Sequence, residues 1–158
     1  MRSGLHYPDE QRVDAWRARM QSLPPALRVG STWGSSALAD NAMRNVTFKD
    51  LHALLATPGV QWFSLQKDAS PPAVGNVSII DWMPEVQDFH DTAALIGALD
   101  LVISVDTSVL HLAGAMGVPA WLLNRHTGEW RWLAQSGPSR WYPSVEVFHQ
   151  ERHGDWLP

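Results

Sequence analysis

The 158-residue sequence contains no cysteine. A disulfide framework and a thiolate metal site are therefore excluded, and the absence is compatible with the cytoplasm, where we expect the protein to reside. No apolar run approaches the roughly 20 residues that a membrane helix needs, so no membrane span is predicted. Residues 1–7 lack the apolar core of a signal peptide, so no secretory leader is expected.

An excess of positive charge is also absent. The chain has 12 Lys and Arg against 16 Asp and Glu, a formal net charge of -4 and a pI near 5.9. This balance argues against a general nucleic-acid binder. Length, a hydrophobic fraction of 45% and a charged fraction of 18% instead predict an ordinary globular domain with a real core.

Several nucleotide and hydrolase motifs are missing as well. No Gly-x-Gly-x-x-Gly follows the first predicted strand, no Gly-Lys-Ser/Thr of a phosphate loop occurs, and Gly-x-Ser-x-Gly is absent. A dehydrogenase-type dinucleotide site, a P-loop and a nucleophile elbow are therefore not supported. With no cysteine, a zinc site is not expected either.

What the chain does contain is an alternation of apolar strands with capped amphipathic helices. The pattern predicts strands at 28–33, 60–65, 77–81, 101–105, 118–123 and 145–148. It predicts helices over 8–23, 47–57, from 90 or 91 to 98, and from Asp106, as N-cap, to a stop at Gly117. Asp91-Thr92 and Asp106-Thr107 are predicted to start their helices with the same cap chemistry. The fold class is α/β, a single Rossmann-like doubly wound parallel sheet, which binds ligands at the carboxyl ends of its strands.

The junction at Asp106, Thr107 and Ser108 is the strongest candidate for such a site. It follows a buried strand, and the free N–H groups and positive end of the following helix favour an anion such as phosphate. Hydroxyls of Thr107 and Ser108 add donors, and His111 lies one turn further along. Local sequence leaves a second interpretation open, in which these residues only cap the helix.

Two other loops at strand ends carry polar or basic side chains. Arg44 lies in the loop after the first strand, and Gln66 and Lys67 follow the second strand. Arg44 and Lys67 could neutralise the charge of a diphosphate, although loop cations are commonly only solvated.

The stretch around Asp106 also resembles a known family. The run DTAALIGALDLVISVDTS, ending at Ser108, and the following HLAGA resemble the carboxyl-terminal half of GT-B glycosyltransferases. The similarity is to bacterial glycosyltransferases attached to tetratricopeptide repeats and to the heptosyltransferase family. Further stretches resemble the same group along nearly the whole chain: YPD, WRAR, SLQK, WRW, WYP and GDW.

The resemblance implies a half that binds a nucleotide-diphosphate sugar, the donor of an inverting, metal-independent hexosyl- or heptosyltransferase. The donor-binding residues implied by position are Arg44, Gln66, Lys67, Asp106, Thr107, Ser108 and His111. No cofactor or metal is expected, because helix ends and basic side chains supply the electrostatics. Residues 85–89 are expected near the base, residues 1–25 as a linker helix and 26–158 as the binding domain.

In such enzymes the general base comes largely from an amino-terminal half, so the catalytic residues of this chain are unknown and the chain alone is expected to be inactive. Its expected partners are a nucleotide sugar and either that missing half or a second copy. Gly34 follows Trp33 directly and shortens the first loop relative to the family. This departure favours an alternative, a non-catalytic remnant that acts as an interaction or dimerisation module. A nucleotide-sugar epimerase is a third, weaker interpretation.

Overall fold

The computed structural model of the chain describes residues 8–34, 46–67, 69–73 and 75–156. Its strands are β1 (Leu27–Thr32), β2 (Val60–Ser64), β3 (Ile79–Ile80), β4 (Leu101–Val105), β5 (Ala120–Asn124), β6 (Gly137–Pro138) and β7 (Val145–His149). They form one seven-stranded sheet in the order β3-β2-β1-β4-β5-β7-β6. All neighbouring strands are parallel except β6, which runs antiparallel to β7. The predicted α/β class with a doubly wound parallel sheet is confirmed.

Helices cover both faces of this sheet. They are α1 (Glu10–Gln21), α2 (Phe48–Leu55), α3 (Phe89–Gly97) and α4 (Ser108–Ala115), with a 3-10 turn at Met83–Glu85. On one face, α1, α3 and α4 bury side chains such as Met20, Leu95 and Leu110. On the other, α2 packs Leu51 and Leu55 over the strands. The strands in the middle of the sheet are thus buried on both sides, as parallel strands require.

Helix α1 packs against the segment that follows β3 through aromatic and charged contacts. Trp16 stacks on Trp82 with ring centroids 5.3 Å apart, and the Arg19 guanidinium lies 4.2 Å from the Trp82 ring centroid. Arg19 also binds both carboxylate oxygens of Glu85, at 2.7 and 2.9 Å. The assignment of residues 1–25 to a linker helix and of 26–158 to a binding domain stays a prediction.

Two predicted helix starts are wrong. The N-cap of α3 is Asp88, whose carboxylate accepts from the Asp91 N–H at 2.9 Å, so Asp91 belongs to the first turn. The N-cap of α4 is Thr107 rather than Asp106, and its hydroxyl makes no capping hydrogen bond. The two helices therefore do not share cap chemistry, because tertiary contacts described below engage the side chains of Asp106 and Thr107.

Other boundaries follow the sequence closely, with two exceptions. Gly117, at φ +73°, ends α4 in a left-handed turn in which the Val118 N–H donates to the Ala113 carbonyl at 3.0 Å. The third strand is only two residues long, rather than 77–81, and β6 was not predicted. Both exceptions are edge strands, where a weak local pattern is decided by pairing with a neighbour.

Candidate functional site

Hydroxyl groups meet where β1 and β4 end. The connection after β1 leads to α2 on one face, and that after β4 leads to α4 on the other, so a crevice opens between these strands. Thr32 and Ser104 are neighbours in register, and their hydroxyls are hydrogen-bonded. The Ser104 hydroxyl also lies 3.1 Å from that of Thr107, and the Thr32 hydroxyl lies 3.5 Å from it. Thr32 and Ser104 were not predicted, although Ser104 is the polar residue of the otherwise apolar strand β4.

The first turn of α4 opens onto this crevice. Thr107 has the extended backbone of an N-cap, and Ser108, the first helical residue, is exposed. Since the first N–H groups of a helix have no intrahelical partner, this turn offers donors and a positive dipole end at the switch point of the sheet. The predicted placement of Thr107 and Ser108 at a strand-to-helix junction is therefore realised, with the register shifted by one residue.

Asp106 is held in a network of side chains from distant segments. Its carboxylate, only 12% exposed, lies 3.3 Å from His111 Nε2 and 3.8 Å from an Arg131 Nη2. The other ring nitrogen of His111, Nδ1, lies 3.0 Å from the Tyr142 hydroxyl. The Trp132 and His111 ring centroids are 5.3 Å apart. We call these five residues the Asp106 network.

The Asp106 network changes the electrostatics expected of the site. The ring of His111 is hydrogen-bonded to the Tyr142 hydroxyl through Nδ1, and its Nε2 faces the Asp106 carboxylate. Arg131 places one positive charge beside the single carboxylate of Asp106. Three atoms of the Asp106 network, Asp106 Oδ2, Arg131 Nε and Trp132 Nε1, are buried without a hydrogen-bond partner.

Arg131, Trp132 and Tyr142 were not predicted as site residues. Only their membership of the WRW and WYP stretches, and the position of WRW after the end of β5, signalled them. Tyr142 reaches His111 because it packs directly on Gly114 of α4. A Cβ added to Gly114 would lie 2.5 Å from the Tyr142 ring. Such a contact between segments far apart in the chain is invisible to local pattern.

Of the other predicted residues, Gln66 and Lys67 lie just after strand β2. The buried Gln66 side chain accepts, at its Oε1, from the N–H groups of Trp33 and Gly34 at 3.3 and 3.1 Å, so it shapes the start of the first loop. Lys67 is exposed just beyond β2, two strands away from β4. Arg44 lies outside the described residues. The structure thus brings Asp106, Thr107, Ser108 and His111 together, with Gln66 and Lys67 at the neighbouring loop.

The described residues show neither a metal-binding cluster nor a helix that could span a membrane. No group of three or more His, Asp or Glu side chains arranged to hold a metal occurs in the part of the chain that the structure describes. His149 and His153 are four residues apart, but His149 ends a strand, so they share no helix face. Among those same residues, every helix is too short or too polar to cross a bilayer.

Comparison with known proteins finds a relative in Caulobacter vibrioides. The chain is 35% identical over 168 aligned residues to Protein FlbA of Caulobacter vibrioides. The alignment covers 99% of this chain and 28% of FlbA, so the chain spans less than a third of that relative's length. No family model matches the chain.

Comparison of structures identifies the fold. A crystal structure of a glycosyl transferase family 9 protein from Veillonella parvula superposes with a TM-score of 0.55 at 16% identity, covering 87% of this chain and 41% of that one. Structures of the Wall Teichoic Acid Polymerase TagF reach a TM-score of only 0.40, at 14% and 13% identity, over 75% of this chain and 30% of theirs. The chain therefore shares a Rossmann-like, glycosyltransferase-like fold with part of a family 9 protein.

Proposed function

We propose that this chain is the donor-binding part of an inverting, metal-independent GT-B glycosyltransferase, and that its ligand is a nucleotide-diphosphate sugar. The observation that carries the proposal is the first turn of α4, which opens beside the Thr32, Ser104 and Thr107 hydroxyls at the switch point of the sheet. Helix N-termini at such points hold anions in α/β proteins. The likeness to a family 9 glycosyltransferase supports the same conclusion at the level of fold.

In this proposal the diphosphate binds at the N–H groups of Ser108 and Val109. An acceptor hydroxyl attacks the anomeric carbon of the sugar, the bond from that carbon to the diphosphate oxygen breaks, and the nucleotide diphosphate leaves with the electron pair. The charge developing on the leaving oxygen is stabilised by the helix end and by Arg131, which lies close behind at Asp106. Lys67, together with Arg44, adds positive charge from the neighbouring loops.

Catalysis also needs a base that takes the proton of the acceptor hydroxyl. We propose that a second half supplies this base, as the family resemblance implies, and that the chain alone binds donor without transferring sugar.

The test is calorimetric titration of the purified chain with UDP, ADP and GDP. One of them should bind saturably, and Ser108→Pro should weaken that binding at least about tenfold. Proline fits the first position of a helix, so this change removes one N–H donor and leaves α4 intact. Phe89→Pro is the matched control, because Phe89 is the exposed first residue of α3, away from the crevice.

Charge reversal gives an independent arm. Lys67→Glu and Arg44→Glu should weaken binding of the same nucleotide, whereas Lys49→Glu on α2 should not. Absence of binding by all three nucleotides in a folded chain would contradict the proposal and support the non-catalytic remnant. Sugar-nucleotide turnover without an acceptor would instead support an epimerase.

A further inference from the structure

One face of strands β5 and β7 is open. Their side chains alternate, and the inward positions, such as Leu122 and Val147, are fully or almost fully buried against α4 and its neighbours. On the opposite face, Trp121 and Phe148 are 38% and 41% exposed, and their ring centroids lie 5.1 Å apart. Parallel strands are normally covered on both faces. The open side therefore presents an apolar surface that lacks a covering layer among the described residues.

This surface forms the floor of a groove of about 830 Å³ beside α2. Leu51 and Leu54 of α2 line one wall, and Trp156 contributes near the far end of the described chain. Neither β5 nor β7 is an edge strand, since β5 pairs with β4 and β7, and β7 pairs with β6. The groove thus offers a sheet face rather than an unpaired strand edge, and a helix laid beside α2 would complete the layer.

Acidic side chains predominate among the charged residues that the structure describes around the groove. The carboxylates of Asp50, Glu151 and Asp155 line it, and within the described part of the chain no Lys or Arg side chain does. Glu146 stands in register beside Trp121 and so projects from the same face of the sheet. A second copy of this chain would bring an identical set of carboxylates against these, which disfavours symmetric pairing through this face.

We propose that this groove binds a basic amphipathic helix of a partner protein. The helix places its apolar stripe on Trp121, Leu123 and Phe148, and its flanking Lys and Arg side chains meet the carboxylates of Asp50, Glu146 and Glu151. Recognition of this kind combines apolar anchors with a charged rim. The surface lies on the side of the sheet away from α4, so the proposal goes beyond donor binding and does not depend on it.

The experiment uses a fluorescently labelled peptide of about 18 residues, about 27 Å of helix, with Leu along one face and Lys elsewhere. Its partner probe keeps the Leu positions and replaces every Lys with Glu. Anisotropy titration should show binding of the Lys peptide, weakening with added salt, and none of the Glu peptide. Trp121→Ala and Phe148→Ala should each weaken binding at least about tenfold. Trp130→Ala is the control, because Trp130 is 71% exposed and does not line the groove.

A further variant guards against loss of folding in the alanine variants. Glu151→Lys alters an exposed residue and should weaken the Lys peptide while it improves the Glu peptide. Three results would overturn the proposal. They are equal binding of both peptides, unchanged affinity of the Lys peptide for all three groove variants, and no binding of either peptide. Sedimentation of the chain alone is the last arm, and a dimer that Phe148→Ala dissociates would also overturn it, since the groove would then serve a second copy.

Discussion

The close contact between Gly114 and Tyr142 leads to a prediction in which two effects oppose each other. Alanine at Gly114 improves helix propensity by about 1 kcal/mol in an unobstructed helix. Here, however, the new Cβ would lie 2.5, 2.8 and 2.9 Å from the Cγ, Cδ2 and Cδ1 atoms of Tyr142. Distances under 3 Å to a rigid ring force a displacement, and overpacking of this kind costs about 1–3 kcal/mol.

The ring has little freedom to move aside. The Tyr142 hydroxyl is hydrogen-bonded to His111. The backbone of Tyr142 is also held, because its N–H donates to the Ser139 hydroxyl at 3.3 Å and its carbonyl accepts from the Val145 N–H at 2.9 Å. We therefore expect overpacking to exceed the gain in propensity. Gly114→Ala should lower the free energy of unfolding by up to about 2 kcal/mol, which for a chain of this length lowers Tm by up to about 8 °C.

The assay is urea and thermal unfolding followed by circular dichroism. Gly97→Ala is the matched control, since the atoms nearest its Cβ would be side-chain atoms at longer distances, Val13 Cγ2 at 3.2 Å and Met116 Cε and Pro8 Cγ at 3.6 Å, and it should be nearly neutral. In a Tyr142→Ala background the obstruction is gone, so Gly114→Ala should become stabilising. Retention of the same destabilisation in that background, or a more stable single variant, would refute the reasoning.

Two further predictions concern a helix cap and a histidine. Asp88→Ala should lower the urea midpoint through loss of the α3 cap, whereas the exposed Asp14→Ala should not; equal effects would contradict the assignment of the cap. Burial, aided by the charge of His126, lowers the pKa of His149 below its ordinary 6.5. The unfolded state then binds more protons just below pH 6.5, so stability is fully present above that value and falls as the pH is lowered toward the depressed pKa. His149→Gln should reduce this acid-side decline in urea midpoints and His153→Gln should not, and an unchanged decline would count against the argument.

The sequence allowed the sheet and the α4 junction to be predicted because both rest on local patterns. Strand β4 is an uninterrupted apolar run, and Gly117 closes the helix that follows. The Asp106 network could not be predicted from local patterns. Its contacts join Asp106 and α4 to Arg131 and Tyr142, which lie about 20 to 30 residues further along the chain. The same contacts explain the misplaced cap: a carboxylate engaged by His111 and Arg131 leaves Thr107 to precede the helix.

The Gln66 carboxamide has a consequence for how this domain can diversify. A single oxygen receives the N–H groups of both Trp33 and Gly34, so the loop after β2 determines how the loop after β1 begins. A change of length in either loop must therefore preserve that oxygen or replace it. An engineer who grafts a first loop from another member of this fold should transplant the residue at position 66 with it.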